Sequence, residues 1–302
     1  MRKFIFAIII TVVVIYLFRV DGCSSDPNTP TTQTLPQQQP AIEYTPKTTA
    51  DGVQNTYAVV VGAGNYLYAD ENLSNLPLTA NDGKAFYQFL TSQAGGSVPQ
   101  DHISLLLQRD ASYRNIISEM NRLFKEADTD DRIIFFFAGH GNTGIFCPND
   151  FIGNTGENVM YHSEVKAAFK QSPAGIKWCI ADACHSASIK APNTTNKGDG
   201  NSLNDGTGVI VMMAAKPNEV SWDTQQLGNG IFSYFLIKGL KGAADENQNR
   251  DISVKELYFY VRRNVLSYVS TNIIDPSTNR PAVQTPVTFG KFNPDMPISH
   301  VY

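Results

Sequence analysis

The stretch "KWCIADACHSAS" (residues 177–188) begins as a continuous apolar run and ends in a cysteine followed by a histidine. A short apolar run with polar residues after it is typical of a strand that is buried on both faces. Cys179 lies inside the run, and because cysteine is among the most often buried residue types, we predict that it is a core residue. Cys184 follows the run among small polar residues and is a candidate nucleophile.

Similar apolar runs recur along the chain, and stripes with helical spacing separate them. The other runs cover residues 57–61, 103–107, 133–138 and 209–214. The stripes lie within residues 85–90, 116–127, 232–240 and 254–261, and Ser112 is a candidate N-cap for the second. This alternation predicts a three-layer α/β/α sandwich, with a mostly parallel central sheet and helices on both faces.

The N-terminus has the features of an export signal. Residues 1–22 combine a basic start with an apolar segment that is shorter than the ~20 residues of a membrane span. "DGC" then makes Cys23 a candidate for lipidation, as in a bacterial lipoprotein, although Arg19 and Asp21 are unusual so close to a cleavage point. A cleaved secretory signal and an uncleaved anchor remain open, and all three predict an exported protein.

Composition divides the rest of the chain into three parts. Residues 23–55 are rich in Pro, Thr and Gln and are predicted to be a disordered tether. Residues 56–293 contain the alternating pattern and form the predicted domain, and residues 294–302 are a predicted tail. The net charge of -4 and the lack of dense Lys or Arg runs argue against nucleic-acid binding, so membrane contact is expected only through the N-terminal anchor or lipid. Four irregularly spaced cysteines do not indicate a zinc site or a disulfide framework.

A second polar group follows another predicted strand. "FFFAGHGN" places His140 between Gly139 and Gly141, directly after the run at residues 133–138. Ligands of open α/β sheets bind at the carboxyl ends of parallel strands, where His140 and Cys184 would both lie if their strands are neighbours. An imidazole beside a thiol is the arrangement of an activated nucleophile, and glycines leave backbone N–H groups free to hold an oxyanion. His185 is a poorer base, because adjacent strand residues point to opposite faces.

These two motifs together resemble the histidine and cysteine blocks of caspase-like cysteine peptidases, especially metacaspases and their bacterial relatives. "GAGNY", "LTANDGKAF" and "GNGIFSYFLIKGL" followed by "ISVKEL" agree with this resemblance, which covers residues 56–293. It implies that His140 is the general base, that Cys184 is the nucleophile and that the Gly141 and Cys184 amides form the oxyanion hole. It also implies that Asp182 and Asp82 bind a basic P1 side chain. Ala138 departs from the family, which often has serine there.

Other interpretations of these polar residues remain open. Asp182 could accept backbone hydrogen bonds at the strand end, and Asp82 could be an acidic residue favoured at a helix N-terminus. Cys147 is predicted to be structural, and His102, His162 and His300 are predicted to face solvent. "DENQNRDISVKE" fits the spacing of a calcium loop, with ligands at Asp245, Asn247, Asn249, Asp251, Ser253 and Glu256. Arg250, however, stands where such a loop has glycine, and "SVKE" reads equally as a capping box. We therefore predict no metal or other cofactor, with calcium as the weaker interpretation.

The predicted function is that of an exported cysteine endopeptidase that acts on polypeptides after Arg or Lys. A long polar segment at residues 188–208, which contains Lys190 and Lys197, is a candidate site of self-processing. One alternative is a catalytically silent caspase-like domain that binds partners at the cell surface, and another is an acyl-transfer enzyme with the same dyad. The sequence does not specify the oligomeric state.

Overall fold

The computed structural model describes residues 49–71, 73–183 and 208–302. Its central sheet has six strands in the order β14-β8-β7-β3-β1-β2. All neighbours are parallel except β14, which runs antiparallel to β8. The six strands are β1 (Thr56–Gly62), β2 (Ile103–Leu107), β3 (Arg132–Ala138), β7 (Ile176–Asp182), β8 (Val209–Met213) and β14 (Val287–Lys291).

Five α-helices cover the two faces of this sheet. They are α1 (Thr79–Thr91), α2 (Tyr113–Leu123), α3 (His162–Gln171), α4 (Ile231–Lys238) and α5 (Val254–Asn272). A π-helical turn, Gly239–Ala243, continues α4, and 3-10 turns lie at Gln93–Gly95, Gln100–His102 and Gln108–Asp110. The predicted N-cap of α2 is confirmed, since the Ser112 side chain accepts a hydrogen bond from the Asn115 amide. None of the helices in these ranges is long and apolar enough to span a membrane.

The remaining strands that the structure describes are short and form small sheets apart from the central one. They comprise β4 (Gly141–Asn142), β5 (Ile145–Phe146) and β6 (Met160–Tyr161) in one small sheet, β9 (Asp223–Thr224) with β10 (Asn229–Gly230), β11 (Asp251–Ser253) with β15 (Pro297–His300), and β12 (Ile274–Asp275) with β13 (Arg280–Pro281). Residues 294–302 were predicted as a tail, but four of them form β15 and pair with β11. Hydrogen bonds along this pair and the burial of Ile298 attach the segment to the domain.

The core has two parts, one on each face of the sheet. Alternate residues of β3 point to opposite faces, so Phe135 and Phe137 join one cluster and Phe136 joins the other. Helices α2 and α3 cover the first cluster, and α1, α4 and α5 cover the second. This burial on both faces explains why the central strands read as unbroken apolar runs, and it confirms the predicted three-layer sandwich.

Candidate active site

Strands β3 and β7 are neighbours in the sheet, as the predicted proximity of His140 and Cys184 requires. They pair in parallel with Ala138 opposite Asp182, and the Gly139 N–H donates a hydrogen bond of 3.1 Å to the Asp182 carbonyl oxygen. His140 therefore follows β3 at the same edge of the sheet at which β7 ends. This edge is the carboxyl end of the parallel strands, where α/β proteins bind ligands.

Several predicted features lie outside the described residues. They are Cys23, Cys184, His185 and the segment that contains Lys190 and Lys197. In the chain, Cys184 follows directly after Ala183, which is the last described residue of that segment.

His140 is fixed by hydrogen bonds from both its backbone and its ring. Its N–H donates to the Tyr66 hydroxyl at 2.7 Å, and that hydroxyl donates to the Ala63 carbonyl at 3.1 Å. The ring atom Nε2 lies 2.7 Å from the Ser74 carbonyl oxygen. Because a carbonyl oxygen only accepts, Nε2 must carry the proton in the neutral ring, which leaves Nδ1 as the basic nitrogen.

The environment of His140 favours its neutral form. Burial lowers the pKa of the imidazole, and the hydrogen bond to the Ser74 carbonyl partly offsets this effect. A general base must be unprotonated when the reaction begins. A histidine with a lowered pKa meets this requirement at neutral pH.

A cavity of about 420 Å³ lies beside His140. Leu73, His140, Gly141 and Cys147 contribute to its lining. Gly141 pairs with Phe146 across the β4–β5 hairpin, so the glycine proposed for the oxyanion hole is in a fixed position next to the histidine. Cys147 is buried, and burial raises the pKa of its thiol to about 12, so it is not a thiolate at neutral pH.

The two predicted specificity residues, Asp82 and Asp182, come together although 100 positions separate them in the chain. Asp182 Oδ1 accepts a hydrogen bond from the Ser221 hydroxyl at 2.6 Å. Asp182 Oδ2 accepts from the N–H and the hydroxyl of Ser233 at 3.1 and 2.6 Å. Asp82 lies in the first turn of α1, and its Oδ1 accepts from the Asn229 side chain at 2.8 Å and from the Gly230 N–H at 3.0 Å.

Gly230, a residue of β10, can lie against both carboxylates because it has no side chain. A Cβ atom added to it would lie 2.5 Å from Asp182 Oδ2 and 3.2 Å from Asp82 Oδ2. Both Oδ2 atoms therefore face one small volume that any larger residue at position 230 would fill. The two aspartates form one acidic site, which we call the carboxylate pair.

Burial governs the electrostatics of the carboxylate pair. Both side chains are almost completely shielded from solvent. Burial, followed by the charge of Asp182, raises the pKa of Asp82 well above its ordinary value. Burial also raises the pKa of Asp182, although its hydrogen bonds to Ser221 and Ser233 oppose this. Among the described residues, no lysine or arginine forms an ion pair with either carboxylate.

The residues that hold the site in place were not predicted from the sequence. Tyr66, Ser221, Ser233 and Asn229 supply side chains, and Ser74 supplies only its backbone carbonyl. The sequence did contain signals for two of these groups, because Tyr66 ends the motif "GAGNY" and Asn229, Gly230 and Ser233 belong to "GNGIFSYFLIKGL". A backbone acceptor such as Ser74 leaves no signal in residue type.

The remaining histidines differ in part from prediction. His162 was predicted to face solvent, but it is buried and its ring lies 4.4 Å from that of Phe146. Burial lowers its pKa to about 3, so it is neutral. His102 is partly buried and stacks on Tyr57, whereas His300 is exposed and lies 2.7 Å from an Asp251 carboxylate oxygen. Helix α3 turns the His162 side chain toward the core, which the sequence pattern around it did not indicate.

This three-layer sandwich has the caspase fold, with His140 after β3 and the carboxylate pair at the end of β7. The family description of the caspase domain matches residues 55–288, so the chain belongs to this family of cysteine peptidases. The crystal structure of caspase-1 from Spodoptera frugiperda is similar in fold, with a TM-score of 0.59 and 13% sequence identity over 89% of this chain and 97% of that one. No curated protein matched the sequence. Membership of a peptidase family implies polypeptide substrates.

Proposed function

We propose that the protein is a cysteine endopeptidase in which His140 is the general base and Cys184 is the nucleophile. The observation that supports this most directly is the register of β3 and β7, which places Ala138 opposite Asp182. His140 and Cys184 each follow their paired residue by two positions, one on each of two neighbouring strand ends. The ring hydrogen bond to Ser74 further supports the proposal, because it leaves Nδ1 as the basic atom.

The proposed reaction has two stages. Nδ1 of His140 accepts the thiol proton, and the Cys184 sulfur attacks the carbonyl carbon of the scissile peptide bond. The resulting oxyanion is held by the Gly141 and Cys184 amides, and the histidine then donates its proton to the leaving amine. Water, deprotonated by the same histidine, hydrolyses the thioester and regenerates the thiol.

The carboxylate pair supports a preference for Arg or Lys at P1, which is also what the resemblance to metacaspases implies. Two buried carboxylates have a high affinity for a cation that pairs with both. The hydrogen bonds from Ser221, Ser233 and Asn229 hold these carboxylates in place and occupy other lone pairs. The basic residues Lys190 and Lys197 would make the segment at residues 188–208 a substrate of the same preference, so the enzyme would cleave its own chain there.

Export and attachment belong to the same proposal. The apolar N-terminal segment and Cys23 support a lipid-anchored or secreted protein, with the tether at residues 23–55 holding the peptidase domain away from the membrane. In this arrangement the substrates would be polypeptides outside the cytoplasm.

The decisive experiment compares two cysteine variants on a mixed peptide library. Cys184→Ala should lower turnover of Arg- and Lys-ended substrates by about 10³-fold or more, because it removes the nucleophile. Cys147→Ala is the matched control, since it removes a thiol from the neighbouring cavity, and it should retain activity within a few-fold. Undiminished turnover in Cys184→Ala would reject the dyad. A wild-type chain that neither cleaves the library nor reacts with a thiol-directed substrate mimic would instead support the scaffold alternative.

A further inference from the structure

A second polar cavity, of about 280 Å³, lies far along the chain from the catalytic motifs. Six of the residues that line it carry side-chain oxygen atoms, and they are Asn247, Asn249, Asp251, Ser253, Glu256 and Asp295. No lysine or arginine is among the lining residues. The cavity is therefore lined by carboxylate, amide and hydroxyl oxygens, which are the donors preferred by hard divalent cations.

The chain before β11 wraps tightly around its own polar side chains. The Asp245 carboxylate accepts hydrogen bonds from the amides of Asn249 and Arg250 at 3.2 and 3.0 Å. Asn247 Oδ1 and Asn249 Oδ1 accept from the amides of Asn249 and Asp251 at 2.9 and 2.8 Å. Arg250 has a φ of 71°, in the left-handed region. Arginine thus adopts the backbone conformation for which calcium loops have glycine, so its presence does not exclude such a loop.

Glu256 provides an independent observation that points to a ligand. The residue is 9% exposed, and its Oε2 accepts hydrogen bonds from the Ser253 N–H and hydroxyl at 3.0 and 2.7 Å. Its Oε1 is shielded from solvent and accepts no hydrogen bond. One buried oxygen of this side chain thus has no partner, which is unfavourable unless a cation binds it.

We propose that this cavity binds a calcium ion, with Glu256 Oε1 and the side chains of Asn247, Asn249 and Asp295 among its ligands. Calcium fits better than magnesium, because it accepts six to eight oxygen ligands in flexible geometry and loses its water readily. The capping box between Ser253 and Glu256 is present and is compatible with this role. Each carboxylate oxygen has two lone pairs, so Glu256 can cap α5 and bind the ion together.

The ion would join three segments that are separate in the sequence. These are the loop before β11, the first turn of α5, and the residues before β15 that include Asp295. Since β11 and β15 already pair, the ion would stabilise their packing against α5. Binding would thus raise the stability of the folded chain by mass action.

The test uses the full chain after treatment with a chelator, and it measures binding by calorimetry and the thermal unfolding midpoint. Added Ca²⁺ should raise the midpoint with increasing concentration, and Mg²⁺ should do so much less. Asp295→Asn, an exposed position that does not take part in the capping box, should weaken Ca²⁺ binding at least tenfold. Glu256→Gln should weaken it further.

Two control variants make the result specific. Glu246→Gln removes a carboxylate from the same loop that does not line the cavity, and Asp130→Asn disrupts the separate acidic group of Asp51, Asp128 and Asp130. Both should leave Ca²⁺ binding unchanged. The proposal is overturned if the wild-type chain does not bind Ca²⁺, if Mg²⁺ acts equally, or if binding is lost in Asp130→Asn instead. If Glu256→Gln does not fold, unchanged binding in Asp295→Asn alone overturns it. Peptide turnover is not measured, so failure of the proposed peptidase does not affect the outcome.

Discussion

Asp82 and Asp182 are each held by hydrogen-bond donors from distant parts of the chain. Asp182 is bonded by hydroxyl groups of Ser221 and Ser233, whereas Asp82 is bonded by Asn229 and the Gly230 amide. These donors reduce the cost of burying two carboxylates but supply no positive charge. At the scale of single residues, this arrangement supports the proposed binding of a basic P1 side chain.

Asp182→Asn tests this role without changing the shape of the side chain. It should lower kcat/KM for Arg-ended peptides by about 10²-fold or more, because breaking a buried charge pair costs about 3–5 kcal/mol. For peptides with a neutral P1 residue, the change should be smaller than tenfold. Steady-state kinetics on the two peptide series provide the measurement.

Asp223→Asn is the control for this experiment. Asp223 is an exposed carboxylate close enough to raise the pKa values of both members of the carboxylate pair, yet solvent screens it. Its removal should change kcat/KM by only a few-fold. Equal losses on basic and neutral peptides in Asp182→Asn would show that the residue supports the fold rather than specificity.

At the scale of secondary-structure elements, β7 packs in the core and carries a polar residue near each end, Lys177 near its start and Asp182 at its end. Its apolar residues enter both halves of the core, and burial raises the pKa of Cys179 to about 12, consistent with its prediction as a core thiol. At its beginning, Lys177 is buried, and its Nζ donates to the carbonyls of Phe169 and Ser172 at 2.6 and 2.7 Å. Lys177 thereby joins the C-terminus of α3 to the sheet.

Lys177→Met should change how stability depends on pH. Burial lowers the pKa of Lys177 to about 8, below the ordinary value of 10.5. Between these values the unfolded chain binds a proton that the folded chain has released, so Lys177 contributes stability that rises with pH through this window. From pH 8 to 10.5, the free energy of unfolding should therefore rise by up to about 3 kcal/mol more in wild type than in Lys177→Met.

Urea unfolding at several pH values in this window provides the measurement. Lys170→Met is the matched control, because Lys170 is an exposed lysine in the last turn of α3, the helix whose C-terminus Lys177 contacts. Its difference from wild type should not vary with pH. A difference for Lys177→Met that is equally constant would contradict the lowered pKa.

At the scale of the whole molecule, the C-terminal segment joins parts of the sandwich that are distant in sequence. The Ile298 carbonyl accepts a hydrogen bond from Arg132 Nη1 at 3.1 Å, and the Ser299 hydroxyl lies 2.5 Å from the Leu240 carbonyl. Arg132 is at the start of β3, and burial lowers its pKa to about 10. The segment thus provides an acceptor for the half-buried Arg132 guanidinium and covers part of the second half of the core.

Deletion of residues 297–302 should destabilise the domain. It removes β15, exposes the surface that Ile298 covers and leaves Arg132 without one acceptor, which together cost about 3 kcal/mol or more. For a domain of this size, the unfolding midpoint should fall by about 6 °C or more, measured in the presence of a chelator. Removing only Tyr302, which is 70% exposed, should have little effect. An unchanged midpoint after the longer deletion would restore the prediction of a tail.

The sequence by itself determined the elements and the edge at which the site lies. The apolar runs predicted all five parallel strands because a strand buried on both faces must be apolar throughout, and the stripes predicted four helices because a packed helix must be apolar on one side. The positions of His140 and Asp182 at this edge could be predicted because each stands at the end of such a run. The buried position of His162 and the strand at residues 297–300 could not, since neither is determined by the local pattern.

Only the tertiary structure decided how the site residues are held. The Ser74 carbonyl sets which nitrogen of His140 is basic, and Gly230, Ser221 and Ser233 shape the carboxylate pair from segments remote in the sequence. Likewise, the left-handed conformation of Arg250 and the partnerless Oε1 of Glu256 changed the interpretation of the calcium loop. Residue type records local periodicity and burial, whereas hydrogen bonds to backbone atoms and contacts between distant segments arise only when the layers pack.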